Sequence, residues 1–318
     1  MSSTGLLLLV TSIAVAGFGI AFMLYKNELR RACEAARRGS LIANTDAGPI
    51  EYAEKGAGSP LLSIHGAGGG FDQGLAFAAE LVGESFRIVA PSRFGYLRTP
   101  VPQNTSPAAQ ADAHAALLAK LNVFKATVMG VSAGARSAVE LALRYPNLVT
   151  ALILISPGTY APTGPVSVDA SRGSNLVFWL VNNGADFAWW VAEKIAPSML
   201  IRFVGVRPEL VAASPKAAQD RVMNIVRAIE PLSLRFPGIN VDSTADLHEL
   251  PLARITAPTL IISARDDGFN TLPAAEFAAS KIAGAKLVVY DTGGHLLVGQ
   301  EHEARTIVSG FLGSAGLT

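Results

Sequence analysis

The chain is almost without cysteine: Cys33 is its single thiol in 318 residues. An intrachain disulfide is therefore excluded, and so is a cysteine-based metal site. No His/Asp spacing resembles a metal cage either, and nothing in the sequence asks for a cofactor. Charge of one sign is lacking too. Lys and Arg total 26 against 25 Asp and Glu, a net charge of +1. With no basic stripe in the body of the chain, nucleic acid is excluded as a partner. Internal repeats and long low-complexity tracts are absent. The first residues, Met1-Ser2-Ser3-Thr4, carry no Lys or Arg, whereas a cleaved secretory leader wants a basic start.

What is present is apolar. Half of the residues are hydrophobic, enough for one large domain with a sizeable core and an insertion. Gly5 to Tyr25 holds no charge, and about 20 residues at helical rise span roughly 30 Å, the thickness of a bilayer core. An uncleaved single-pass anchor is the expectation, with a cleaved signal as the alternative. Lys26, Arg30, Arg31, Arg37 and Arg38 follow. Basic residues beside a span stay on the cytoplasmic side, which predicts a cytoplasmic domain held against a membrane. The Glu34–Arg38 spacing supports a helix continuing past the span.

The most informative stretch lies further on. Ala126-Thr127-Val128-Met129 reads as a buried strand, and Ala135 to Tyr145 as a helix that stops before Pro146. Between them stands Gly130-Val131-Ser132-Ala133-Gly134. Strand, G-x-S-x-G, helix is a nucleophile elbow: the glycines permit a sharp turn and close helix packing, so the serine hydroxyl stands exposed above the sheet. A serine needs a base, and the base needs an acid to hold its tautomer. Downstream, the strand Pro258 to Ser263 leads into Ala264-Arg265-Asp266-Asp267-Gly268. The strand Lys286 to Tyr290 leads into Asp291-Thr292-Gly293-Gly294-His295. Both candidate partners follow the carboxyl ends of strands, where open parallel sheets place their ligands. His302 sits in a Glu-His-Glu context that reads as an exposed helix face. Upstream, the strand Leu61 to Ile64 runs into His65-Gly66-Ala67-Gly68-Gly69-Gly70. No Lys follows as a P-loop requires, and Phe71 breaks a dinucleotide fingerprint.

These motifs resemble those of the α/β-hydrolase superfamily, over about residues 50 to 315. The resemblance implies a mostly parallel sheet flanked by helices. It also implies an oxyanion hole from the N–H of Ala133 and that of Ala67, with Gly68 as the alternative. Family members place the acid three residues after the small residue that closes its strand. Taking Ser263 as that residue selects Asp266 and leaves Asp267 to brace the loop. Phe86 to Tyr96 is similar to the family's A-P-D-x-R-G-x-G segment, with Ser92 where Asp is usual.

The span from Ser156 to Thr259 is too long for one crossover and, by the same resemblance, forms a helical lid. Asn175 to Met199 holds Phe178, Trp179, Phe187, Trp189 and Trp190, either as the lid's own core or as an apolar pocket or bilayer contact. The expected division is an anchor over 1–25 and a basic juxtamembrane linker over 26–48. Hydrolase core occupies 49–160 and 251–318, and the lid 161–250. The expected activity is that of a serine esterase or lipase on a small-molecule ester, through Ser132, His295 and Asp266. Carbon–carbon hydrolases, thioesterases and perhydrolases share the same serine chemistry, and a non-enzymatic binding module is the remaining alternative.

Overall fold

The computed structural model describes residues 2–83, 85–163 and 186–317. The four strands expected from apolar runs are present as β3 (Ser59–Ile64), β5 (Ala126–Val131), β7 (Thr259–Ala264) and β8 (Lys286–Tyr290), and β2 (Gly48–Lys55), β4 (Phe86–Pro91) and β6 (Val149–Ile155) bring the number to seven. An eighth, β1 (Leu41–Thr45), lies inside the expected linker and forms a hairpin with β2 around Asp46-Ala47. It escapes a hydropathy reading because Leu41 and Ile42 are exposed and the strand sits at the sheet edge.

The eight strands form one sheet in the order β1-β2-β4-β3-β5-β6-β7-β8. β1 to β2 and β2 to β4 are antiparallel, and every other pairing is parallel. Both faces are covered, which explains why the central strands are continuous apolar runs. The two-residue period still sorts them. Leu61, Met129, Ile153 and Ile262 face α2 (Phe71–Val82) and the C-terminal helix. Leu62, Val128, Leu152 and Ile261 face α3 (Pro107–Lys120), α4 (Gly134–Arg144) and the helix after β7. β4 and β5 lie on opposite sides of β3, so the chain reverses its winding direction there. The crevice at the carboxyl ends of β3 and β5 is the place such sheets reserve for chemistry.

The N-terminal helix α1 (Ser3–Ala35) runs for 33 residues, about 50 Å at helical rise. It is long and apolar enough to cross a membrane. Its helical conformation continues past the span through Lys26, Arg30 and Arg31 to Ala35, but it ends before the Glu34–Arg38 spacing is completed, and Arg38 lies in the turn beyond.

Between β6 and β7 the described chain forms α5 (Asp186–Ile195), α6 (Pro197–Phe203), α7 (Pro208–Ala213), α8 (Lys216–Arg227) and α9 (Phe236–Ser243). Pro starts several of these short helices, where its missing N–H does no harm. Helices α10 (Leu272–Lys281) and α11 (Glu301–Ser314) complete the domain.

Of the insertion's aromatics, Phe178 and Trp179 lie outside the described residues. Trp189 packs edge-on against Phe203 within the core. Trp190 and Phe187 turn the other way and meet Tyr25 and Phe22 of α1. Trp190 Nε1 donates to Glu28 Oε2 at 2.7 Å, and Lys194 reaches the same carboxylate at 3.1 Å. Trp189 fills the expected role of core, while Phe187 and Trp190 pack against α1.

Candidate active site

Ser132 is held in the left-handed region at φ +52°, a conformation that costs an L-residue about 1–2 kcal/mol. The surrounding packing compels it. A Cβ on Gly130 would meet Ala138 Cβ at 2.6 Å, and one on Gly134 would meet the Ile64 and His65 carbonyls at 2.5 Å. The helix α4 therefore lies directly on β5 and on the loop after β3, and the chain between must turn within one residue. Ser132 N–H is tied to Ile155 O at 2.9 Å, and Ser132 O accepts the N–H of Gly158 at 3.0 Å.

His295 reaches the same place from β8. Its N–H donates to Gly205 O, and its carbonyl accepts Ser156 Oγ–H at 3.1 Å. Ser156 directly follows the Ile155 that holds Ser132, so one short segment after β6 ties both loops together. Phe269 packs edge-on against the imidazole at 4.6 Å. Gly205, from the insertion, stands at φ +73°. A Cβ there would fall 2.7 Å from His295 Cβ.

The acid facing His295 is Asp267, and the expectation for Asp266 is corrected. Asp267 Oδ2 lies 2.9 Å from His295 Nδ1, with side chains 1% and 6% exposed. Asp267 also accepts the Thr271 hydroxyl and the Phe269 N–H. Burial pushes its carboxyl up, but His295 and these hydrogen bonds outweigh burial and hold it below the usual carboxylate value. Asp266 braces the loop instead: Oδ1 accepts the Gly294 N–H at 2.7 Å, and Oδ2 faces Arg207 at 2.9 Å. The cause is one residue of strand. β7 extends to Ala264, so the small residue that closes it is Ala264, and the third residue on is Asp267.

With Nδ1 committed to Asp267, His295 Nε2 has no hydrogen-bond partner among the described residues. The other histidines are placed elsewhere. His302 and His248 are exposed, and His114 is buried beneath α4 near Ser137. His65 is buried with both ring nitrogens used: Nε2 accepts the Arg93 N–H, so Nδ1 carries the proton and donates to Gly66 O. Burial and the neighbouring Arg93 hold it neutral, well below the usual histidine value.

The glycine-rich loop wraps the serine. A Cβ on Gly66 would touch Ser132 Cβ at 3.0 Å. The Gly66 N–H goes to Gln73 Oε1 at 2.9 Å and the Gly68 N–H to the Tyr96 hydroxyl at 3.3 Å. Among the described residues, the N–H groups of Ala67 and Ala133 have no partner. Of the two expectations for the loop donor, Ala67 has the free N–H and Gly68 does not.

Ser92, the departure from the usual Asp, is compensated from another strand. Its hydroxyl donates to Glu51 Oε2 at 2.9 Å while accepting the Phe71 N–H that starts α2. Glu51, fully buried, also binds Arg98 and Ser40. Tyr96, Glu51 and Gly205 were not foreseeable as site residues, since each acts through contacts distant in sequence; Gln73 reaches only back to Gly66, but no motif marks it.

Residues 59–301 match the family model of the alpha/beta hydrolase fold. Among curated relatives, an uncharacterized hydrolase of Bacillus subtilis, YcgS, is 28% identical over 85% of this chain and 96% of its own. A 2-hydroxymuconate semialdehyde hydrolase of a Pseudomonas species is 27% identical over 82% and 89%, and Lipase 3 of a Moraxella species 27% over 77% and 75%. An alpha/beta hydrolase fold protein from Nakamurella multipartita superposes with TM-score 0.68 at 28% identity, covering 87% of this chain and 99% of its own. A solved membrane phospholipase A superposes with TM-score 0.65 at 22% identity over 99% and 98%.

Proposed function

The chain belongs to the alpha/beta hydrolase family, and from that premise we propose that it is a serine hydrolase cleaving carboxylic esters through an acyl-enzyme. The observation that carries this reading is the Asp267–His295 pair, whose Nε2 has no partner among the described residues and whose loop is tied through Ser156 to the segment that holds the strained Ser132. His295 takes the Ser132 proton as the oxygen attacks the ester carbonyl. The tetrahedral oxyanion accepts hydrogen bonds from Ala67 and Ala133 N–H. His295 then protonates the leaving alcohol and, in the second half, activates the water that releases the acid. Asp267 keeps the proton on Nδ1 and balances the imidazolium that forms.

The insertion serves as a lid in this reading, and α1 as a single membrane span with the domain on the cytoplasmic side. Two features support the anchor: the exposed apolar face of α1 and the ring of Tyr25, Phe187 and Trp190 just before its basic residues, the composition of a membrane-water boundary. Superposition of the membrane phospholipase A over nearly the whole chain, α1 included, supports it further. Carbon–carbon bond hydrolysis on the same residues is the second reading, favoured by the 2-hydroxymuconate semialdehyde hydrolase relative.

The test is a fluorophosphonate probe on the full chain. The wild type should be labelled and Ser132→Ala should not. Turnover of p-nitrophenyl butyrate without turnover of a dienoic meta-cleavage substrate selects the ester reading; the opposite pattern selects the second. A folded wild type that is not labelled returns the chain to the binding-module class.

A further inference from the structure

The helix α9 places one carboxylate, Asp242, at the meeting point of three hydrogen-bonded arms. Arg93 donates to it through both terminal nitrogens, each at 2.6 Å, with the two side chains 6% and 9% exposed. The Tyr96 hydroxyl donates to Asp242 Oδ2, and the Asp242 backbone carbonyl accepts Arg136 at 2.8 Å. No residue of this cluster belongs to the reacting set, and no sequence motif announced Asp242.

Each arm ends on the backbone around the serine. Arg93 Nε donates to His65 O at 2.9 Å, while its own N–H goes to His65 Nε2. Tyr96, its proton committed to Asp242, is left as an acceptor, and the Gly68 N–H uses it. Arg136 Nε donates to Gly158 O at 2.8 Å, and the Gly158 N–H donates to Ser132 O. His65 and Gly68 bracket Ala67; Ser132 immediately precedes Ala133. The contacts therefore hold the Ser132–Ala133 peptide unit directly and the two units on either side of Gly66–Ala67, whose own carbonyl is held by His65 Nδ1.

We propose that Asp242 is a positioning residue of the insertion that fixes the directions of the Ala67 and Ala133 N–H groups, and so sets the oxyanion hole. This rests on the serine-hydrolase reading and deepens it. A stability role alone explains the geometry poorly, since a buried ion pair adds little over well-packed apolar residues. The negative charge is specific to the task. Three donors converge on two carboxylate oxygens, and an amide would offer one oxygen and turn an N–H toward Arg93 or Tyr96. The phenol proton would then lose its fixed direction, so its oxygen would no longer be held as the acceptor for the Gly68 N–H, and the turn carrying Ala67 would lose its fixed direction.

The experiment compares wild type, Asp242→Asn and Tyr96→Phe as full-length chains in detergent micelles. It measures kcat and KM on p-nitrophenyl butyrate, Ki for a trifluoromethyl ketone with the same acyl chain, and thermal unfolding. The ketone's hemiketal oxygen occupies the oxyanion position, whereas KM reports the ester's ground state. For Asp242→Asn we expect kcat down about 30-fold, and for Tyr96→Phe about 10-fold, with KM within about two-fold and Ki rising in step with the fall in kcat/KM. A loss of packing alone does not produce that split. Tyr96→Phe keeps its volume and the Arg93–Asp242 pair, so it decides the matter if Asp242→Asn fails to fold. Folded variants with unchanged kcat and Ki overturn the proposal, as does a rise in KM at constant kcat. A wild type that neither turns over ester nor labels with fluorophosphonate overturns the serine-hydrolase reading itself.

Discussion

Asp267→Asn and Asp266→Asn form a pair that separates the acid from its neighbour. Asp267 lies 2.9 Å from His295 Nδ1 with a side chain 1% exposed. In the Asn variant the oxygen still accepts from Nδ1–H only if the amide sets its nitrogen at the Oδ1 position, against the Phe269 N–H. Otherwise the amide N–H faces His295 and forces the proton onto Nε2, where it cannot serve as base. The same substitution in a Ser-His-Asp protease lowers kcat by about 10⁴, and 10⁴ corresponds to about 5.5 kcal/mol of transition-state stabilisation. We expect about 10³ to 10⁴ here, because the site is equally buried and the alternative amide pose sets Nδ2 against the Phe269 N–H. Asp266→Asn keeps an acceptor for the Gly294 N–H and loses only attraction to Arg207, whose side chain is 59% exposed. That pair is screened, and a loss in kcat of about three-fold or less follows. The assay is kcat/KM on p-nitrophenyl butyrate at pH 8, with fluorophosphonate labelling rate as a second measure. If Asp266→Asn proves the more damaging, the geometric assignment of the acid is wrong.

Three further outcomes are expected. Stability falls with acidification between pH 6.5 and 4.5. His65 and His114 are held neutral, His114 down at about 3 by burial and Arg93, so the unfolded chain binds two protons the folded one refuses. Each contributes a loss of about 1.4 kcal/mol per pH unit. Glu230, pushed up to about 7 by burial and Glu193, works in the opposite direction over the same window. The net slope is one group's worth, and urea unfolding of Glu230→Gln should show it doubled; an unchanged slope refutes the assignment. Trp190→Ala removes the contacts to Tyr25 and Glu28, about 3 kcal/mol of packing. It should speed trypsin cleavage at Lys26 and Arg30 while leaving acyl-chain preference unchanged; a shifted preference would put Trp190 in the substrate path. The full chain should resist alkaline extraction from membranes, and a chain truncated to start at Gly39 should be soluble and active. Starting at Ala43 should lower its melting temperature, because Ser40 binds Glu51 and Arg98 and β1 begins at Leu41; equal melting temperatures would show that these contacts contribute nothing.

The parts of the molecule that were readable in sequence are those whose cause is local. Ser132 sits between a strand and a helix that its own glycines join, and His295 follows Gly293-Gly294 at a strand end. Neighbours within a few residues dictate both. The acid was misplaced by one residue because its position depends on where β7 stops, and β7 stops where β8 stops pairing with it, at Ala264 and Tyr290. β1 was missed for a related reason: its edge position leaves Leu41 and Ile42 outside the core, so hydropathy carries no sign of its pairing with β2.

The insertion was least legible, although it contributes most to holding the site. Gly205 accepts from His295, Arg235 donates to Gly69 O at 2.6 Å, and Asp242 takes Arg93 and Tyr96. These contacts cross roughly 90 to 170 positions of chain, and nothing in the local composition of the helices that supply them differs from an ordinary solvated face. Arg235 and Asp242 belong to no motif, yet Arg235 is 1% exposed and the Asp242 side chain 9%. A buried charge persists only where its partners meet it. Here those partners are backbone groups of the glycine-rich loop or side chains that hold them. The loop's glycines admit the close approach of Ser132 but leave the turn without side chains to stiffen it. Rigidity must come from outside, and the insertion supplies it through charged side chains that reach across the crevice. The insertion therefore fixes the loop beside Ser132, so the placement of its helices and the directions of that loop's N–H groups are one structural variable rather than two.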